Sequence, residues 1–451
     1  MMGTKMGQDY VFRSESEEIA AWLLSSARKP LLMRGARQVG KSTLVRECAE
    51  RLGFQLAEIN LENHLSLKQH FLETSDTSLV IREIEVLTQK SILQNKSKTL
   101  LFIDEIQAIP EAISALRYLY EQHPELPVVA AGSLLEFVLK DIPHGMPVGR
   151  IQYFYLGPIQ FRDYLKNYSE DSLLEAVMEG SFSAHEKLLK RLREYFIVGG
   201  MPEAVSTYKK TLSLKEVDLV HSDLIQTYQD DFAKYADARI WARMQKILQW
   251  VPRNVGRKVI FASISPDEGS REMRLALEKL IQAKLIYPVC HVDANGVPLA
   301  AEKDDRVFKP LFLDIGMMTS LLGLRSTGAA NDLLWVNEGA LAEQFVGQQL
   351  LYRHGGRIQP ELYYWLREKK QSNAEVDYVV SEGSRVIPIE VKAGKAGSLR
   401  SLHQLMMSRP QIHQALRLDT RLPHVQRVNS YELRSLPLYF AGVGARWNHG
   451  E

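Results

Sequence analysis

Along the first third of the chain, apolar runs and mixed polar-apolar stretches take turns, predicting strand and helix in alternation. Leu31-Leu32-Met33 reads as a buried strand, and Thr43-Leu44-Val45-Arg46-Glu47 opens a helix shortly after it. Upstream, Ser14 or Ser16 caps a helix through Glu17–Leu24 that Pro30 brings to an end. Downstream, Phe54–Leu61 reads as a strand and residues 65–93 as helical. Thr99–Ile103 is a fully apolar strand, Glu111–Gln122 a helix, and Pro127–Ala131 another buried strand. A helix Leu134–Leu139 and a strand Ile151–Leu156 follow. Such alternation specifies an α/β fold with a parallel sheet and helices on both faces.

From Pro158 the apolar spacing changes to threes and fours. Phe161–Leu165 and Glu186–Val198 read as helices, and Gly199-Gly200-Met201-Pro202 as the stop after the second. Met244, Ile247, Leu248 and Val251 mark another helix, and Met273, Leu275, Leu277, Leu280 and Ile281 a further one. A strand Lys284–Val289, a turn at Asn295-Gly296 and a return strand toward Lys309–Phe312 complete a winged-helix pattern. Arg271 and Arg274 fall on its second helix, either as a nucleic-acid-reading pair or as solvated charges. Glu338–Tyr352 is then a helix with Leu341, Phe345 and Val346 inward and Glu343 among them. Leu362–Trp365, Glu375–Val380 and Val386–Lys392 read as strands, the last two joined at Glu382-Gly383-Ser384. The expected organisation is a parallel-sheet α/β domain over 1–165, a helical lid or connector over 166–235, a winged-helix-like domain over 236–330 and an α/β domain over 331–451.

Composition adds limits. A length of 451 residues with 45% hydrophobic content supports several buried cores. The 56 basic and 54 acidic residues leave a charge of +2, so no overall basicity marks a nucleic-acid binder and partners must be read from local sites. Cys48 and Cys290 lack any ligand spacing, which argues against a disulfide scaffold or a cysteine-based zinc site. No apolar run approaches the roughly 20 residues that cross a bilayer. Met1 to Tyr10 carries no apolar core of a signal peptide, so the expected location is the cytoplasm, without membrane contact.

The first chemistry-bearing stretch is Gly35-Ala36-Arg37-Gln38-Val39-Gly40-Lys41-Ser42, followed by Thr43. It has the form GxxxxGKS between a predicted strand and a predicted helix, the context a phosphate-binding loop requires. The glycines let the backbone curl so that its N–H groups and the helix N-terminus face a triphosphate. Lys41 then reaches the terminal phosphates, and Ser42 holds Mg²⁺. Asp104 and Glu105 end the Thr99–Ile103 strand, where ligands bind in open α/β sheets. Asp104 is the second expected Mg²⁺ partner, and Glu105 the group that polarises the attacking water. The implied cofactors are ATP and Mg²⁺. Ser133 reads as a γ-phosphate sensor, as the N-cap of the following helix, or as both. Arg150 reads either as a phosphate-facing arginine, from the same subunit or from a neighbour in a homo-oligomer, or as a solvated surface charge.

A second set lies near the C-terminus. Glu390 and Lys392 are two apart on one strand and share a face, as do Glu375 and Asp377. In a hairpin turning near Gly383, Asp377 falls opposite Glu390. Carboxylates converging from two strands and a helix, beside a lysine, suit Mg²⁺-dependent phosphodiester cleavage of DNA or RNA. Asp377, Glu390 and Lys392 are the candidate catalytic groups, and Glu343, Asp377 and Glu390 the candidate metal ligands. The same pattern also describes a salt-bridged surface hairpin, or a nuclease-like fold that cuts nothing.

Taken together, the phosphate loop, Asp104-Glu105-Ile106-Gln107, Gly132-Ser133, Gly149-Arg150, Gly199-Gly200-Met201-Pro202, Lys309 to Gly316, Glu375-Val376-Asp377 and Pro388-Ile389-Glu390-Val391-Lys392 resemble the prokaryotic AAA-type ATPases that carry a C-terminal domain of unknown function. The resemblance spans nearly the whole chain. It implies a P-loop NTPase sheet, a winged-helix-like middle and a restriction-endonuclease-like (PD-(D/E)xK) end. It also implies ATP and Mg²⁺ at Lys41, Ser42, Asp104 and Glu105, and a nuclease-like site at Glu343, Asp377, Glu390 and Lys392.

Overall fold

A computed structural model of the chain describes residues 10–73, 76–138, 145–147, 149–324, 338–367, 373–394 and 398–443. Residues 1–9, Leu139 and most of Lys140–Val148 therefore lie outside the described residues, as do 331–337 at the start of the expected last domain. The chain divides into two compact units.

The first unit is Met1–Gly157 with Gln282–Lys284 and His354–Gln359. Its strands are β1 (Leu31–Arg34), β2 (Gln55–Asn60), β3 (Thr99–Asp104), β4 (Val128–Gly132) and β5 (Gln152–Tyr155). All pair in parallel, in the order β2-β3-β4-β1-β5. Every residue of β3 and β4 is buried, as expected for strands covered on both faces. Leu32, Ile103, Ala130, Ile113 and Leu116 meet in the core that seats the sheet on its helices. The stretch expected to be helical over 65–93 breaks into Lys68–Glu73 and Thr77–Thr88. Asp76 caps the second helix by accepting from Ser78 N–H at 2.9 Å, a competing bond that interrupts the run.

The second unit holds Pro158–Ile281, Leu285–Arg353 and Pro360–Glu451. Its helical part includes Phe182–Val198, Leu214–Tyr235, Ala238–Asn254 and Ser270–Gln282. An eight-stranded sheet follows: β6 (Ile286–His291), β7 (Asp304–Phe312), β8 (Leu362–Arg367), β9 (Ala374–Glu382), β10 (Arg385–Val391), β11 (Gln414–Asp419), β12 (His424–Val428) and β13 (Tyr431–Pro437). The order is β12-β13-β11-β10-β9-β8-β6-β7.

This order changes the meaning of the β6–β7 hairpin. Expected as the wing of a winged helix, it instead extends the C-terminal sheet, because β6 pairs in parallel with β8 through Val289–Leu362 and Cys290–Tyr363. Both strands bury apolar side chains against that sheet, which a solvated wing would not do. The helices Phe161–Lys166, Phe182–Val198 and Glu338–Leu351 share one core, in which Phe161, Tyr195 and Phe345 pack edge to face at 5.4–5.8 Å.

Candidate functional site

The phosphate loop joins β1 to the helix Lys41–Leu52. Gln38 and Gly40 take left-handed backbone at φ 60° and 90°, which turns the chain sharply into the helix start. Lys41 is buried at 7% exposure, and its ammonium donates to the carbonyls of Gly35 at 3.0 Å and Ala36 at 2.8 Å. Arg13 braces the loop from outside the motif, donating to the carbonyls of Val39 and Gly157 at 2.5 Å each. No local signal marks Arg13 as a brace of the loop, since the two carbonyls it meets lie 26 and 144 positions away, although it also pairs with nearby Glu15.

The acidic edge of β3 faces this loop. Ser42 Oγ donates to Asp104 Oδ2 at 2.7 Å, so the two expected Mg²⁺ partners already meet. Glu105 sits at φ 47°, a left-handed conformation that is costly for a glutamate and recurs at functional sites. Its Oε2 accepts from Gln107 Nε2 at 2.5 Å and from Ser133 Oγ at 3.2 Å. Gly132 lets Gln107 lie there, since a Cβ at that position would run into the glutamine amide oxygen. Ser133, expected at the γ-phosphate or as a helix N-cap, touches the acidic group here, while Gln107 was visible only as the last residue of the acidic motif. The helix Leu135–Val138 begins beyond Ser133.

Burial is the larger influence on both charges at the site. It pushes Lys41 down to about 8 against the pull of Glu105 and Asp104, and it raises Asp104 against its hydrogen bond from Ser42. A triphosphate bound against Lys41 restores its proton. ATP binding is therefore expected to take up a proton near pH 9, and affinity to fall by up to about tenfold per pH unit above pH 8. Titration calorimetry in buffers of different ionisation enthalpy checks this; no net proton uptake counts against it.

Arg150 does not join this site in its own chain. It precedes β5, and Leu31 at the start of β1 pairs with Gln152, so Arg150 lies at the N-terminal edge of the parallel sheet. Gly35 and Ser133 follow the C-terminal ends of β1 and β4, and Asp104 is the last residue of β3. Arg150 instead pairs with Glu121 at 2.8 Å and is half exposed. A residue that opens a parallel strand stands at the edge opposite the ligand, and the parallel pairing of β1 with β5 puts Arg150 there.

In the second unit, β9 and β10 pair antiparallel up to Tyr378 opposite Ile389, which places Asp377 beside Glu390. Asp377 Oδ2 accepts the Val391 N–H at 2.7 Å, and Glu390 Oε1 accepts from Lys392 Nζ at 2.6 Å. Glu390 is 4% exposed, and its Oε2 has no hydrogen-bond partner among the described residues. Glu343 comes in from the helix Glu338–Leu351, next to Gly256. Burial, then the charge of Asp377, holds both Glu343 and Glu390 above the ordinary carboxylate range.

A residue with no assigned role completes the cluster. Lys309, on β7, is 1% exposed. Its Nζ stands 2.8 Å from Glu375 Oε1 and 3.8 Å from Glu343 Oε2, over the rings of Tyr364 at 4.9 Å and Tyr378 at 5.8 Å. Burial opposes its charge, but Glu343, Asp377 and Glu375 outweigh that cost and raise its pKa. The available signal was a lysine inside the apolar run Val307–Phe312. Among the described residues, no three His, Cys, Asp or Glu side chains are placed to hold a metal ion. The carboxylates converge as expected: Asp377 accepts from Val391 N–H and Glu390 Oε1 from Lys392, while Glu390 Oε2 and Glu343 Oε2 have no hydrogen-bond partner among the described residues.

Residues 27–165 match a family described as an AAA domain. That region is an AAA-type P-loop ATPase domain. Residues 189–328 and 338–436 match two domains of unknown function, DUF8612 and DUF4143. No curated protein matches the chain. Among solved structures, it is similar to the ORC2 protein of Aeropyrum pernix in ADPNP–ADP complexes, at 14% identity and TM-score 0.35 over 70% of this chain and 96% of that one. It is also similar to the Aeropyrum pernix ORC1 protein in complex with DNA, at 11% identity and TM-score 0.28 over 69% and 91%. A STAND signal-transduction ATPase with a tetratricopeptide repeat sensor from Pyrococcus horikoshii gives 13% identity and TM-score 0.28 over 75% and 45%. Among the described residues no helix is long and apolar enough to cross a membrane.

Proposed function

We propose that the chain is an Mg²⁺-dependent ATPase that works as a nucleotide-driven switch, its C-terminal domain engaging a partner or nucleic acid without cutting it. The observation that carries the ATPase reading is the meeting of Ser42 and Asp104 at 2.7 Å beside a buried Lys41, with Glu105 oriented by Gln107 and Ser133. Ser42 and Asp104 would hold the Mg²⁺ of Mg·ATP, and the ion would spread the charge of the β- and γ-phosphate oxygens. The loop N–H groups between Gly35 and Thr43, with Lys41, hold the phosphates. Glu105 takes a proton from the water that attacks the γ-phosphorus, and ADP departs on the far side. Lys41→Ala removes the cation facing the terminal phosphates and is expected to abolish measurable ATP turnover. Turnover at the wild-type rate in that variant would sink the assignment.

A second reading has the C-terminal domain cleave DNA or RNA. Supporting it is the order helix Glu338–Leu351, β8, β9, β10, helix Arg400–Ser408, β11, with β8–β9 and β9–β10 antiparallel and β10–β11 parallel. This is the arrangement expected of a restriction-endonuclease-like core, with Asp377, Glu390 and Lys392 at its hairpin. The non-cutting reading is favoured because, among the described residues, no three of these side chains are placed together around one ion. End-labelled single- and double-stranded DNA and RNA, incubated with Mg²⁺ or Mn²⁺ with and without ATP, separate the two. Cleavage lost in Asp377→Ala but retained in Lys41→Ala establishes a nuclease. Arg271 and Arg274 remain candidates for nucleic-acid contact, though Arg274 stacks on Phe261 at 5.1 Å.

A further inference from the structure

The fold resemblance calls for a divalent ion among Glu343, Asp377 and Glu390, yet the groups as placed do not offer a shared ligand set. What stands beside Glu343 and Glu375 is an ammonium. Lys309 is nearly fully buried, 2.8 Å from Glu375 and 3.8 Å from Glu343, and two tyrosine faces close over it. It is held there by the sheet, not by its own flexibility. β7 pairs with β6 along Phe312 to Phe308, and the Phe308 carbonyl accepts from Val259 N–H at 3.0 Å. A buried lysine whose charge is retained needs anionic partners, and these carboxylates need a cation.

We propose that the Lys309 ammonium is the resident counter-ion of this cluster, standing where a divalent ion would otherwise sit, so that the native C-terminal domain binds no divalent cation there. Removing the ammonium leaves Glu343, Glu375 and Asp377 in excess of positive charge and turns the cluster into a divalent-cation site of oxygen ligands. The inference rests on the non-cutting reading above and supplies its physical cause. The cation site at the phosphate loop is removed from the comparison by carrying Asp104→Asn in every protein.

The test is Mn²⁺ binding to the full chain, followed by the electron paramagnetic resonance signal of unbound Mn²⁺ and by Mn²⁺-dependent Tm. With Lys309 intact, no saturable Mn²⁺ binding is expected. Lys309→Met should gain one site with at least a tenfold lower Kd and a Tm that climbs with Mn²⁺. Lys309→Arg keeps the charge and should gain none, and adding Glu375→Gln to Lys309→Met should lose the new site. If Lys309→Met does not fold alone, Mn²⁺ should restore its near-UV circular dichroism.

A folded Lys309→Met that binds no Mn²⁺, or an unfolded one that Mn²⁺ does not rescue, overturns the inference and leaves the ATPase and non-cutting readings standing. One Mn²⁺ bound with Lys309 intact, lost on Asp377→Asn and accompanied by nucleic-acid cleavage, overturns the inference and the non-cutting reading together.

Discussion

Glu105→Gln is expected to slow ATP turnover by roughly 100- to 10,000-fold, the range general-base catalysis supplies, while nucleotide affinity stays unchanged. The reason lies in where the carboxylate is held. Glu105 follows the buried strand β3 directly, its backbone is left-handed at φ 47°, and its Oε2 takes hydrogen bonds from Gln107 and Ser133 at 2.5 and 3.2 Å. Glutamine preserves length and shape but cannot accept the proton that water gives up. The phosphates meet Lys41 and the loop N–H groups, which this substitution does not touch. Single-turnover hydrolysis beside equilibrium binding of a fluorescent ATP analogue measures the two quantities separately. A variant that hydrolyses ATP at the native rate would show that another group takes the proton.

The second large effect concerns stability. Asp314 is fully buried and ends the turn after β7. Its carboxylate accepts four N–H groups: Gly200 at 2.6 Å, Gly316 at 2.9 Å, Met317 at 3.1 Å and the Gln348 amide at 3.1 Å. One side chain thereby caps the helix Ile315–Leu321, ties down the Gly199-Gly200 turn and meets the helix Glu338–Leu351. Asp314→Ala leaves these donors without an acceptor in the core, at a cost of about 3–5 kcal/mol. Asp314→Asn, which keeps one acceptor oxygen, should fall between alanine and wild type. Urea unfolding, followed by a probe in the second unit, ranks the three. Equal midpoints for alanine and wild type would mean that water replaces the carboxylate. Gly199 belongs to the same device: it has φ 69°, and a Cβ there would run into the Asp314 carboxylate.

The Gly199-Gly200-Met201-Pro202 run shows how far local signals reach. As helix punctuation it was readable, and the helices Phe182–Val198 and Pro202–Thr211 meet there. Its attachment to Asp314, 114 positions away from Gly200, was not. Lys309 follows the same rule. Its apolar neighbours marked a buried strand, but its meeting with Glu343 and Glu375 depends on β6 choosing β8 as a partner. That choice also turned an expected wing into part of the C-terminal sheet.

The sequence by itself determined the AAA-type loop and its acidic strand. Gly40, Lys41 and Ser42 act through backbone geometry and a helix start a few residues long, and Asp104 and Glu105 through the end of one apolar strand, so neighbouring residues suffice to specify them. Even the hairpin of Asp377 and Glu390 is local, set by a turn and a period of two. Tertiary structure alone decided that Arg150 stands at the far edge of its sheet from the phosphates, and that Arg13 braces the loop. It also decided that an ammonium from β7 fills the carboxylate cluster. Burying a charge requires an opposite charge from whatever element packs against it, and which element does so is settled by strand order, not by spacing along the chain.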